Sequence, residues 1–140
     1  MKRKLFAVGL LTVLTCSGLY AQTSTLRANI PFDFEMATVA MPAGAYSITF
    51  SNRVLTVRED RGKHVAMTLT SPAGTTPASL RKAPDTGLLV FRQYGGEYFL
   101  SGVWAADSVS GHALPVTPRQ KELANLARPA EPTTIAMSRK

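Results

Sequence analysis

The stretch from Leu88 to Ala106 constrains the fold more than any other part of the chain. Two runs rich in β-branched and aromatic residues flank Gly95-Gly96, and a glycine pair supplies the positive φ that both central positions of a two-residue hairpin turn require. Pairing across that turn sets Arg92 opposite Phe99 and Tyr94 opposite Glu97. It gathers Leu89, Phe91, Tyr98, Leu100 and Trp104 on one face, which predicts a core face. Arg92, Tyr94, Glu97, Phe99 and Ser101 take the other, along with Leu88, Val90 and Val103.

The same period-two reading extends upstream. Leu26, Ala28, Ile30, Phe32 and Phe34 alternate with Arg27, Asn29, Pro31, Asp33 and Glu35, which predicts one half-buried strand. Pro31 removes a ladder donor and predicts an edge position. Met41 to Tyr46 reads as a tight turn into a second strand. A turn at Ser51-Asn52 then sets Phe50 opposite Arg53, Ile48 opposite Leu55 and Tyr46 opposite Val57, leaving Ser47, Thr49, Val54 and Thr56 on the other face. A three-residue loop, Asp60-Arg61-Gly62, pairs Val57 with Val65 and Leu55 with Met67, and puts Gly62 at its left-handed position. Glu59 then faces Lys63, and His64 faces Arg58 on the outer side.

Irregular and helical segments complete the reading. Ser71 to Thr86 carries Pro72, Pro77 and Pro84 and reads as a long loop. A turn is expected around Gly111, followed by a short strand at Leu114 and Val116. Thr117-Pro118-Arg119-Gln120 has the grammar of a helix start: N-cap Thr, Pro at the first helical position, Gln closing a capping box. That helix is expected to reach about Arg128 and to dock through Leu123 and Leu126. Residues 129–140 read as a C-terminal tail, frayed or carrying a late strand at Ile135 and Met137.

The first twenty-one residues read as an address. Met1-Lys2-Arg3-Lys4 is a basic start, Leu5 to Leu14 is apolar, and small residues lead to Ala21, which predicts a signal peptide cut before Gln22. The apolar run is too short for a stable membrane anchor, so the mature form is expected not to span a membrane. A lipobox reading through Val13-Leu14-Thr15-Cys16 ranks second, because Thr15 stands where Gly or Ala is wanted. The expected organisation is a signal peptide over 1–21, one β domain over 22–128 and a tail over 129–140. Localisation follows as periplasmic or extracellular.

Removing Lys2, Arg3 and Lys4 lowers the formal charge from +7 to about +4, a balance that suits solubility or weak attraction to anionic surfaces. Nucleic acid is disfavoured as a partner, since export and the lack of clustered Lys/Arg both argue against it. The chain's one cysteine, Cys16, lies in the leader. Disulfides, zinc–thiolate sites and cysteine nucleophiles are therefore excluded from the mature chain.

With these residues in place, the chain resembles a family of small exported bacterial proteins of unassigned function. The resemblance rests on Ile30-Pro31-Phe32-Asp33-Phe34, Pro42-Ala43-Gly44-Ala45-Tyr46, Tyr98-Phe99-Leu100-Ser101 and Val103-Trp104, extended by the helix from Arg119 to Leu126. It implies a compact secreted β domain and no particular activity. Met41 stands where Leu is expected.

No catalytic signature emerges. His64 and His112 share no short motif and read as solvent-exposed, so neither a metal nor another cofactor is expected. Gly-x-Ser-x-Gly is absent, and Ser108 to Gly111 lacks the strand-to-helix context of a nucleophile. Asp33, between Phe32 and Phe34, is the carboxylate whose setting most suits a raised pKa, although a turn-capping role explains it as well. The binding candidates are Arg92, Tyr94 and Phe99 on the mixed hairpin face, plus Asp33, because an Arg beside exposed aromatics suits a sugar or acidic group. The competing expectation is that a second layer or the C-terminal helix covers that face.

The expected architecture is all-β: a small antiparallel sandwich or up-and-down barrel of about six to eight strands with one C-terminal helix. The expected function is a non-catalytic envelope or extracellular module that binds an envelope protein or an anionic surface, using the edge strand at Leu26 to Phe34. Two alternatives stand behind it. One is a hydrophobic-ligand carrier with a barrel cavity lined by Phe34, Ile48, Phe91 and Trp104. The other is an exported hydrolase joining Asp33 to His64 or His112.

Overall fold

The computed structural model of the protein describes residues 25–75, 86–106, 110–128 and 130–139. Among them the chain runs β1 (Thr25–Ile30), β2 (Phe34–Met36), β3 (Val39–Met41), β4 (Gly44–Ser51), β5 (Val54–Glu59), β6 (Val65–Leu69), β7 (Ser71–Thr75), β8 (Leu88–Tyr94), β9 (Glu97–Trp104), β10 (Ser110–Ala113), α1 (Pro118–Leu126), β11 (Thr133–Ala136) and β12 (Ser138–Arg139). A five-stranded sheet has the order β12-β1-β4-β5-β6. A seven-stranded sheet has the order β11-β8-β9-β10-β7, with β2 against β9 and β3 against β2. Neither sheet closes on itself. The fold is an all-β sandwich with a C-terminal helix, not a barrel, and its strands outnumber the expected six to eight because several are short.

The core lies between the sheets. Ala28, Ile30, Tyr46, Ile48, Leu55, Val57 and Ala66 come from the five-stranded sheet, and Phe34, Met36, Leu89, Phe91, Leu100 and Val103 from the other. Alternation reads correctly through Ile30, but the single strand expected to Glu35 breaks at Pro31 to Asp33. Beyond the break the chain enters the opposite sheet, where β2 pairs parallel to β9. β1 is not an edge strand; it lies between β12 and β4. Pro31 falls just after β1, so its missing N–H interrupts no ladder.

The β4–β5 hairpin keeps the expected faces but not the expected pairs. Its turn is Asn52-Arg53, both with positive φ (50° and 67°), so Phe50 faces Leu55, Ile48 faces Val57 and Tyr46 faces Glu59. Asn at the first central position tolerates the left-handed conformation that Ser51 resists. The slip is two residues, which leaves every side chain on its predicted face.

At β5–β6 the slip is one residue, and it changes the surface. Val57 faces Ala66, Arg58 faces Val65 and Thr56 faces Met67. Glu59 N donates to His64 O at 2.9 Å, closing Asp60 to Lys63 as a four-residue loop. Gly62 has no positive φ there; a Cβ on it would collide with the Glu59 carboxylate at 1.7 Å. Ala66 is therefore the core residue of β6, and Val65 and Met67 face outward.

The Gly95-Gly96 turn forms as expected, with φ of 56° and 85°. Arg92 faces Phe99 and Tyr94 faces Glu97. Past Leu100 a bulge intervenes: Phe91 faces Leu100 but Val90 faces Gly102. Ser101 is the extra residue, and its hydroxyl donates to Val90 O at 3.0 Å. Parity inverts beyond it. Val103 enters the core, whereas Trp104, expected there, joins Leu88 and Val90 on the opposite face. The indole lies over Gly111, where a Cβ would come within 2.2 Å of the ring. Gly111 is thus a strand residue of β10 and not the centre of a turn, and Leu114 is buried just beyond that strand.

At the C-terminus, Thr117 caps α1 by accepting from Gln120 N at 3.2 Å, with Pro118 in the first turn. The buried residue of the helix is Gln120, while Leu126 is 79% exposed and docks nothing. Residues 129–140 are not a tail appended to a finished domain. β11 pairs with β8 in one sheet and β12 pairs with β1 in the other. Met137 sits between them, 1% exposed, with its N–H on Gly87 O at 2.7 Å. The expected loop of 71–86 begins as β7, paired with β10 at the sheet edge, where Pro72 is tolerated. Residues 76–85 of that loop and the leader, with Cys16, lie outside the described residues.

Candidate interaction edge and adjoining cleft

Among the described residues β6 ends the five-stranded sheet, with β5 as its sheet neighbour. Glu59 N to His64 O at one end and Thr70 N to Arg53 O (2.8 Å) at the other fix which β6 residues bond to β5. In an antiparallel ladder the bonded positions alternate, so the backbone groups of Val65, Met67 and Leu69 point off the sheet. Their side chains also stand on the outer face, exposed by 40%, 62% and 66%. The result is a row of apolar side chains above a row of outward-pointing N–H and C=O groups.

The other sheet edges carry blocking devices. β12 has two residues and β3 three, β7 contains Pro72, and β11 is a four-residue strand entered through Pro132. β6 has no proline and no charged residue from Val65 to Leu69. The sequence reading missed this surface because it rested on one residue of register. The usable signal was the alternation of Val65, Met67 and Leu69 with the small Ala66 and Thr68.

A cleft of about 450 Å³ adjoins the start of β6, lined by Asp33, Glu35, Pro42, His64, Glu97 and Tyr98 among others. Three of its polar groups are already engaged. Asp33 Oδ1 accepts from Ala43 N at 2.8 Å, which makes Asp33 the brace of the turn into β4. His64 Nδ1 lies 2.7 Å from Glu59 Oε2. Glu97 is paired with Arg119 at 2.7 Å, a hydrogen bond that holds its carboxyl below the ordinary range. Asp33 and His64 share the cleft but not a hydrogen-bond network. His112, expected in a turn, is in β10 with its ring 4.2 Å from that of Phe50. Its Nδ1 and Trp104 Nε1 are buried without a hydrogen-bond partner among the described residues. No group of three His, Cys, Asp or Glu side chains among those residues is placed to hold a metal ion. No helix among them is long and apolar enough to cross a membrane.

No family model, curated protein or solved structure matches this chain. Geometry is therefore the ground for any functional reading.

The four residues expected to bind are dispersed by burial. Arg92 is exposed, but Tyr94 and Phe99 are 6% and 1% exposed and meet ring to ring at 6.0 Å. The chain after α1 runs along β8, where Ala130 N donates to Gln93 O at 3.2 Å. Asp33 stands in its turn, near Tyr98 rather than Tyr94. The residues expected to line a carrier cavity are likewise separated. Phe34, Ile48 and Phe91 pack inside the core, and Trp104 lies on the far face of its sheet.

Tyr46 supports the loop that holds Asp33. Its hydroxyl donates to Pro42 O. Burial, reinforced by the carboxylates of Glu59 and Asp33, pushes its phenol from 10.0 up to about 12. The folded state thus favours the protonated phenol. This contribution to stability is whole below pH 10 and is lost as pH rises through about 12. Tyr46→Phe is expected to cost about 1 kcal/mol at neutral pH, because Pro42 O loses its donor. It should also lessen the fall in stability between pH 10 and 12, read as urea midpoints against pH. An unchanged alkaline fall would assign it to other groups.

Proposed function

We propose that this chain is an exported, non-catalytic interaction module that receives a protein partner along β6 by strand addition. The observation that carries the reading is the edge at Val65, Met67 and Leu69, unblocked among the described residues, where backbone groups and apolar side chains are presented together. Export is supported by the basic start, apolar run and small-residue exit of Met1 to Ala21. The resemblance to small exported bacterial β-domain proteins agrees with both. Apolar contact at the outer face supplies affinity, and the strand ladder fixes register. The non-catalytic part is supported by Asp33 and His64 serving separate structural bonds.

The test is site-specific photocrosslinking in the envelope of the exporting cell. A photoreactive residue at position 67 or 69 should yield a discrete protein adduct. One at Leu126, exposed on α1, should not. Adducts from Leu126 alone, or none from β6, would overturn the assignment.

A further inference from the structure

We infer that the partner strand is β6 of a second copy of this chain, paired antiparallel about a two-fold axis through Met67. This rests on the reading of β6 as the contact strand and names its occupant. The argument begins with the backbone. Val65, Met67 and Leu69 each direct N–H and C=O off the edge. A two-fold through Met67 therefore sets Met67 against Met67 of the partner subunit and Val65 against Leu69 of the partner subunit. About six inter-chain backbone hydrogen bonds result, with the two five-stranded sheets joined edge to edge.

Side-chain chemistry favours the same pairing. Opposed residues in an antiparallel pair share a face, so the two apolar rows merge on the outer side of the joined sheet. No charged side chain lies within the seam, since Val65 to Leu69 contains none. Arg58 flanks Val65 on β5. The two-fold sends the two copies of Arg58 to opposite ends of the seam, each in the row of Val54 of the partner subunit. Arg53, beside Thr70, falls in the row of Glu59 of the partner subunit, three strand spacings or roughly 14 Å away, so neither arginine is brought against a like charge within the seam. An isologous contact needs a patch complementary to itself, and this one is: the three outward positions are symmetric about Met67, apolar against apolar, with no charge among them.

The test exploits a chain whose one cysteine is Cys16. In a Cys16→Ser background, Met67→Cys places two thiols on the two-fold. A hydrogen-bonded antiparallel pair has Cα atoms about 5.5 Å apart, within disulfide range. Leu69→Cys places its two thiols roughly 14 Å apart along the seam, out of range. Mild oxidation of the exported protein should convert most Met67→Cys to a covalent dimer and leave Leu69→Cys monomeric. Met67→Lys, which sets two ammonium groups on the axis, should weaken association at least tenfold by sedimentation equilibrium, while Val116→Lys should associate as the parent does. Equal crosslinking of both cysteine variants, or a parent that stays monomeric, would overturn the two-fold pairing. A monomeric parent whose β6 adducts carry a different protein would overturn self-pairing and leave the interaction module standing.

Discussion

A chain ending at Arg128 should lose the native state of the full protein. The cut removes β11 and β12, and with them one neighbour from β8 and one from β1. It also removes Met137, 1% exposed at the point where the chain passes from one sheet to the other. Losing a fully buried Met side chain alone is worth about 2–5 kcal/mol. Total stabilities of small domains are only about 5–15 kcal/mol. Uncovering Leu89 and Phe91 on β8 adds to the loss. Urea titration followed by Trp104 fluorescence should therefore find the truncated chain largely unfolded without denaturant. Met137→Ala, which keeps both strands, should fold with a midpoint lowered by the equivalent of about 2–5 kcal/mol. A truncated chain with the parent's midpoint would make residues 129–140 a tail after all.

Phe91→Ala should be among the most damaging single substitutions. Phe91 is fully buried and packs edge to face against Phe32 (5.0 Å, 89°) and Phe34 (5.3 Å, 76°). Phe32 in turn stacks on Tyr98 at 3.9 Å. The Phe91 ring thus joins the Pro31–Asp33 connection to β2, and Phe32 joins it to β9. Truncation to Ala in such a core costs about 3–5 kcal/mol, from lost burial and the cavity left behind. Arg92→Ala, one residue away on the exposed side, should stay within about 0.5 kcal/mol. Chemical denaturation of the two variants compares them directly. A Phe91→Ala loss under about 1 kcal/mol would mean that the aromatic cluster does not hold the connection.

Several features were legible because they are encoded by neighbours in sequence. Gly95-Gly96 dictates its turn through positive φ, and Thr117-Pro118 dictates the start of α1 through cap and ring geometry. The inward faces of β4 and β5 follow from period two. The candidate site was less legible. Arg92, Tyr94 and Phe99 share a face as expected, yet burial depends on what lies over that face, and Tyr94 and Phe99 are covered. The β6 edge was hidden behind a loop choice. Three or four residues between β5 and β6 are locally comparable, but the choice inverts which side chains meet solvent.

The sequence by itself determined the all-β class, the hairpin at Gly95-Gly96, the capped helix and the faces of the first long hairpin. Each depends on torsion preferences or on alternation, and both act over a few residues. The tertiary structure decided matters that alternation leaves open. The chain crosses to the opposite sheet over Pro31 to Asp33, the bulge at Ser101 turns Trp104 out of the core, and Met137 lies where the chain passes between the last two strands, one in each sheet. The β5–β6 register is the most consequential of these. It buries Ala66 and leaves Val65, Met67 and Leu69 at an edge that is open among the described residues. Period two identifies two faces of a strand; which face is buried depends on the volume available between the packed sheets.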